Sequence, residues 1–201
     1  MDSSVKCKGK VVSTEIIKEC GEHTKALITV VPDDIKDINS LLSFAKIGEI
    51  VEVSLDDSLI MYGTIYNVSG SIKYTGAAVQ LEVVSDSIES DTTKASRIFQ
   101  SPQKTMQCIF DKLNNKKYKF SFNGNKSSES VDEVLIQNNE TDFEFVSRIA
   151  SEYGLKVFDC SDERGVCNII IAESLSKMIR LEEKNIISFL GEYNNCLLYT
   201  S

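Results

Sequence analysis

Glu140, Asp142 and Glu144 place three carboxylates at alternate positions in one short stretch. Paired carboxylates are common equipment for general acid–base hydrolysis. The same residues also lead into an apolar-periodic run. There, negative side chains oppose the dipole of a helix and cap its free N–H groups. Residue type and spacing therefore support two readings, a hydrolytic pair or a helix start. Glycoside hydrolysis would add a cleft lined by aromatic side chains, and the chain has no tryptophan.

Other groups that could do chemistry are scattered. The single histidine, His23, lies in the polar run GEHTK, with no serine, cysteine and aspartate set around it of the triad kind. Six cysteines are present, at 7, 20, 108, 160, 167 and 196, and none forms a CxxC pair. The closest, Cys160 and Cys167, flank a turn-like SDERG. A zinc site needs tighter pairs with histidine support, so neither metal nor cofactor is expected. No P-loop, GxGxxG or HExxH pattern occurs. Arg97 and Arg148 are candidates to pair with carboxylates, and Arg148 and Glu152 stand four apart, the spacing of a helical ion pair.

The charge balance narrows the partners. With 22 basic and 30 acidic side chains the formal net charge is −8, which disfavours nucleic acid, because phosphate binding needs a concentrated positive field. The one basic stretch, Lys112 to Lys119, reads as a solvated turn before a strand. The start, MDSSVKCKGKVV, has no apolar signal region. No apolar run reaches the roughly 18 residues of a membrane span. Production in the cytosol with reduced thiols is the expectation.

The elements that must position these residues fall into two styles. Up to about residue 85 the chain alternates like short strands: VVSTEII before Lys18, ALITVV at 26–31, EIVEVSL at 49–55, LIMYGTIYNV at 59–68 and YTGAAVQLEVV at 74–84. A short helix is predicted over 35–45, with a turn at Ser69-Gly70-Ser71. Gly63, inside a strand, predicts a bulge or a barrel corner. The polar run 85–96 is the clearest composition break and places a domain boundary near residue 95. Beyond it, Ser101-Pro102 predicts a helix start carrying Met106, Ile109, Phe110 and Leu113. YKFSF at 118–122 and the run centred on 134–137 predict strands. Thr141 and Glu144 form a T-x-x-E capping box for a helix that buries Phe143, Val146, Ile149, Ala150 and Tyr153 and ends at Gly154. LKVFD and VCNIIIA predict a hairpin.

On these residues a family resemblance becomes visible. Arg97-Ile98-Phe99-Gln100 fits an RxFQ segment. Gln137, Asn139, Glu140, Asp142, Phe143, Phe145, Arg148 and Gly154 fit the longer pattern Q-x-N-E-[ST]-D-[FW]-x-F-[LV]-x-R-[IL]-A-x-x-x-G. The chain resembles the VgrG and phage late control protein D family, the baseplate hubs of contractile injection machines. The match is good over about 85–172; residues 1–84 match in style only.

The resemblance implies an α+β, mainly β fold. A small antiparallel β-barrel would span 1–95, and a mixed α/β segment carrying the motif would span 96–172. The start of a second barrel would lie at 173–195. The closing string CLLYTS, 196–201, is similar to one reading frame of a sequencing adapter, so the natural protein is expected to continue past Asn195. The resemblance implies a structural, non-enzymatic hub joining a sixfold tail tube to a threefold spike. Its implied partners are its own copies in a homotrimer, the tube, the spike and other baseplate proteins. It would be cytoplasmic during assembly and then part of a virion tail or injection machine. The alternative is a cytosolic β-barrel effector or hydrolase using Glu140, Asp142 and Glu144.

Overall fold

The computed structural model describes residues 9–33, 44–55, 58–73, 76–100, 105–124, 130–131, 133–160 and 166–173. Five strands come first: β1 Gly9–Ile17, β2 Lys25–Pro32, β3 Ile50–Leu55, β4 Ser58–Lys73 and β5 Gly76–Ser85. They form one antiparallel sheet in the order β1-β2-β5-β4-β3. Alternation explains them: Ile28 and Val30 on β2, and Val79, Leu81 and Val83 on β5, are buried at period two. With Met61, Val51, Val53 and Ile65 they make the first core. The sheet curls into a half-barrel, and the Lys18 ammonium near the end of β1 donates to the Ile60 carbonyl of β4 at 3.2 Å. Among the described residues, edge strands β1 and β3 do not pair with each other.

Two local expectations change here. Ser69-Gly70-Ser71 is strand, not turn: β4 runs on to Lys73, and these residues pair with Gln80, Val79 and Ala78 of β5. The ladder satisfies their backbone groups, which outweighs the turn preference of Ser and Gly. The bulges of β4 lie at Ile60, against β3, and at Tyr66, against β5, not at Gly63. Gly63 serves a close approach instead. A Cβ there would sit 2.3 Å from the Val84 carbonyl oxygen. Gly63→Ala is therefore expected to lower stability by about 1–3 kcal/mol, the usual cost of overpacking, read as a lower urea midpoint. An unchanged midpoint would mean that β4 and β5 can part without cost. The helix expected over 35–45 falls mostly outside the described residues; Phe44 and Ala45 at its end pack on the first core.

The second half builds a separate core. Its elements are a 3₁₀ helix at Asp86–Asp91, β6 Ala95–Phe99, α1 Met106–Phe110, β7 Tyr118–Asn123, β8 Leu135–Glu140, α2 Asp142–Glu152, β9 Lys156–Cys160 and β10 Cys167–Ala172. β9 and β10 form the expected antiparallel pair. β10 also pairs with β7 in parallel, giving the order β7-β10-β9. β6 and β8 make a two-stranded antiparallel ribbon. Met106, Ile109, Phe110 and Leu113 join Phe120, Phe145, Val146, Ile149, Ile169 and Ile171 in the core. The cap of α1 is Thr105, whose hydroxyl accepts from the Cys108 N–H; Ser101 and Pro102 lie outside the described residues. So do the expected second-barrel start, beyond Glu173, and the 196–201 tail. No described helix is long and apolar enough to cross a membrane.

Candidate functional site

The motif residues meet where the β6–β8 ribbon reaches the N-terminus of α2. Thr141 caps that helix. Its hydroxyl accepts from Glu144 N–H at 3.1 Å, and its own N–H donates to a Glu144 carboxylate oxygen at 2.8 Å. Both halves of the capping box read from the sequence are therefore made. Capping places Asp142 in the first turn, and its carboxylate is buried. Arg97 on β6 donates to it at 2.6 Å, Gln137 on β8 at 2.9 Å and Tyr118 on β7 at 2.8 Å. Gln137, fully buried, also accepts from Arg97 at 3.2 Å and donates to the Glu140 carbonyl at 3.0 Å. Three strands and a helix thus converge on one carboxylate.

The other motif residues surround this cluster. Arg148 holds Glu140 by two bonds, at 2.8 and 2.9 Å, and also donates to the Ile136 carbonyl at 2.8 Å and to Glu152 at 3.2 Å. Those bonds hold the Glu140 carboxyl below the usual carboxylate range, despite opposing desolvation. The Arg148 guanidinium lies over the Phe145 ring, 5.5 Å from its centroid. Phe99 stacks on Phe145 at 5.2 Å, and Phe143 is also buried. Gln100 follows β6. Asn139 has φ +54 and is the extra residue of a bulge, since Ala95 pairs with Glu140 while Ser96 pairs with Asn138; asparagine tolerates that conformation better than most residues. Gly154 has φ +67 just after α2, the left-handed turn that ends many helices.

The three carboxylates do not act as a pair. Glu140 faces Arg148, Asp142 faces Arg97, Tyr118 and Gln137, and Glu144 is spent on the cap and lies 3.9 Å from Lys94. Each has its own partners, which removes the geometric basis for a hydrolytic dyad.

Burial, followed by the bond to Asp142, pushes the Tyr118 phenol up to about 12 from its ordinary 10.0. The folded state therefore holds the neutral phenol more tightly than the unfolded chain does. That contribution is complete below pH 10.0 and is lost as pH rises through about 12. Alkaline unfolding should accordingly be steeper in the native chain than in Tyr118→Phe across this window. Identical slopes would mean that the phenol is not held.

A second polar cluster was not legible in the sequence. Asp159 on β9 accepts from the Thr24 N–H at 2.7 Å, from the Ser87 hydroxyl at 3.0 Å and from the Ser85 hydroxyl. His23 meets Ser87 through Nδ1 at 2.7 Å and Asp91 through Nε2 at 3.4 Å, and its ring lies 4.1 Å from that of Phe143. Asp91 also accepts from the Thr141 hydroxyl. The sequence reading found no triad set near His23, yet the fold brings a serine and an aspartate to it from more than sixty residues away. Ser87 is wholly buried, so the set joins the two cores rather than presenting a nucleophile. Burial and the neighbouring Asp159 push the Cys167 thiol up, as suits an inert core thiol. Among the described residues, no group of three or more His, Cys, Asp or Glu side chains could hold a metal ion.

No family model matches the sequence. No curated protein matches it either. Solved structures do match. An E. coli protein, c3393, described as a component of the type VI secretion system similar to the T4 tail proteins gp27 and gp5, aligns over 90% of this chain at TM-score 0.60 and 16% identity. A tail protein from Neisseria meningitidis aligns over 83% at TM-score 0.55 and 16% identity. The 43 kDa tail protein of prophage MuSo2 from Shewanella oneidensis aligns over 84% at TM-score 0.52 and 18% identity. The chain covers 51%, 49% and 51% of these structures, about half of each. It therefore has the fold shared by these phage-tail and type VI secretion proteins.

Proposed function

We propose that this chain is the N-terminal part of a structural baseplate hub in a contractile injection machine. The observation that carries this reading is the likeness of 90% of the chain to half of a type VI secretion component. The motif supports it in chemical terms. Its polar residues are spent on holding the ribbon and the helix together, which is the work of a scaffold. The division into a first barrel to residue 95 and an α/β segment to 172 belongs to the same proposal.

In this reading the chain works by binding. Its partners are its own copies in a homotrimer, the tail tube above, the spike below and neighbouring baseplate proteins. Among the described residues β1 and β3 stand at the edges of the sheet, and strand addition there is the means by which subunits would join. The protein is made in the cytoplasm and then carried in the tail or machine. The test is the light-scattering mass of the complete gene product, recovered from the source DNA. A trimer is expected; a monomer persisting at high concentration would overturn the hub reading.

A further inference from the structure

The chain holds a single Asn-Gly pair, Asn123-Gly124. Such a pair favours a turn in isolation, but the fold places it at the end of β7. Cys167 N–H donates to the Lys117 carbonyl, and the parallel register then runs unbroken to Ala172↔Asn123. Bonds of a parallel ladder are evenly spaced, so they pass through the odd-numbered residues of β7. Asn123 is the last of these. The Gly124 N–H falls outside the ladder, where the chain bends away at φ +150.

Both residues are exposed, and no side chain among the described residues holds the Asn123 carboxamide. Nothing crowds its neighbour either: a Cβ on Gly124 would meet only the Phe122 ring, at 3.7 Å. Other asparagines differ on both counts. Asn67 donates to Glu82 at 2.9 Å and precedes the branched Val68. Asn114 accepts from the Phe120 N–H at 2.6 Å, and Asn115 accepts from the Lys117 N–H at 2.7 Å. Neither of those is followed by glycine. At Asn123 a free carboxamide and an unshielded backbone nitrogen stand on one short tether, the arrangement that favours intramolecular reaction.

We propose that Asn123 is a self-modification site, converted through its own neighbour to isoaspartate and aspartate. The Gly124 nitrogen attacks Cγ of Asn123, and the new C–N bond closes a succinimide ring. The Cγ–Nδ2 bond breaks, and the carboxamide nitrogen leaves as ammonia with the proton that Gly124 gives up. Water then opens the ring. Opening at one carbonyl restores the normal peptide bond and leaves aspartate. Opening at the other routes the main chain through the former side chain and leaves isoaspartate. Water is the only co-reactant, and nothing is oxidised or reduced. Either product puts a carboxylate at the end of β7, an edge strand of its sheet among the described residues. The isoaspartate form also lengthens the main chain at the last ladder pair.

The test stores the full chain at mildly alkaline pH and maps its peptides by mass spectrometry, with isoaspartate read by enzymatic methylation. The Asn123 peptide is expected to convert ahead of every other asparagine peptide and to yield isoaspartate beside aspartate. Its rate in the folded chain should lie within about tenfold of that in urea, because the fold leaves the site open. Asn123→Gln should remove the change, since a longer side chain must close a larger ring. Gly124→Ala, measured in urea so that strain in the fold plays no part, should slow it roughly tenfold by shielding the nitrogen. Conversion confined to the unfolded chain overturns the proposal. So does aspartate without isoaspartate, which is the mark of direct hydrolysis, or a rate in urea untouched by Gly124→Ala.

Discussion

Asp142→Ala is expected to cost roughly 2–4 kcal/mol of stability, because it orphans several donors around one buried carboxylate. The buried Tyr118 hydroxyl loses its acceptor, and the Gln137 amide loses one of its two. Arg97 suffers less, since its side chain is 44% exposed against 6% for Asp142. That difference keeps the expected loss below the full cost of breaking a buried ion pair. Asp142→Asn keeps an oxygen for one donor and should fall in between. Urea unfolding measures both, with an unchanged slope as the sign of intact cooperativity. A loss well under 1 kcal/mol for the alanine variant would show that the motif carboxylate is not a structural keystone. Adding Tyr118→Phe to Asp142→Ala should recover part of the loss, because it removes one orphaned donor together with its lost partner.

Asp159→Ala should have a comparable effect of roughly 2–4 kcal/mol, for the same reason of orphaned buried donors. Its consequence is different in kind. Asp159 belongs to the second half, while Thr24 and Ser85 belong to β2 and β5 and their approaches. Together with the Gly21 N–H, which donates to the Val157 carbonyl at 2.9 Å, these bonds tie the first core to the second. Without the carboxylate the Ser85 and Ser87 hydroxyls can still bond each other, since they lie 2.6 Å apart. The Thr24 N–H has no such substitute. The expected result is a lower midpoint and two separable transitions, seen by hydrogen exchange as earlier opening of one core. A single transition at the native midpoint would mean that apolar contact alone joins the halves.

Much of the local structure was legible because it is written in short-range patterns. The Thr141–Glu144 cap and the apolar face of α2 depend on residues three and four apart, and sequence displays that spacing directly. The β9–β10 pair is of the same kind, its two strands lying close together in the sequence. Failures came where a local preference met a tertiary one. Ser69-Gly70-Ser71 favours a turn in isolation, but β5 offers partners for its backbone, so β4 continues. The 85–96 run is polar in composition, yet Ser85, Ser87 and Ser90 are buried, because Asp159, His23 and the Ser87 carbonyl supply hydrogen bonds that water would otherwise make.

The sequence by itself determined the strand-rich first half and the capped helix. These rest on periodicity, capping and residue type, which a chain carries wherever it folds. Only the tertiary structure decided what those residues do. It set β7 parallel to β10, laid β6 beside β8, aimed Arg97, Gln137 and Tyr118 at Asp142, and joined His23 to Ser87 and Asp91. Such contacts link residues far apart in the chain and depend on the direction of each strand and the angle of each side chain. No local pattern encodes either, because both follow from how the two cores pack.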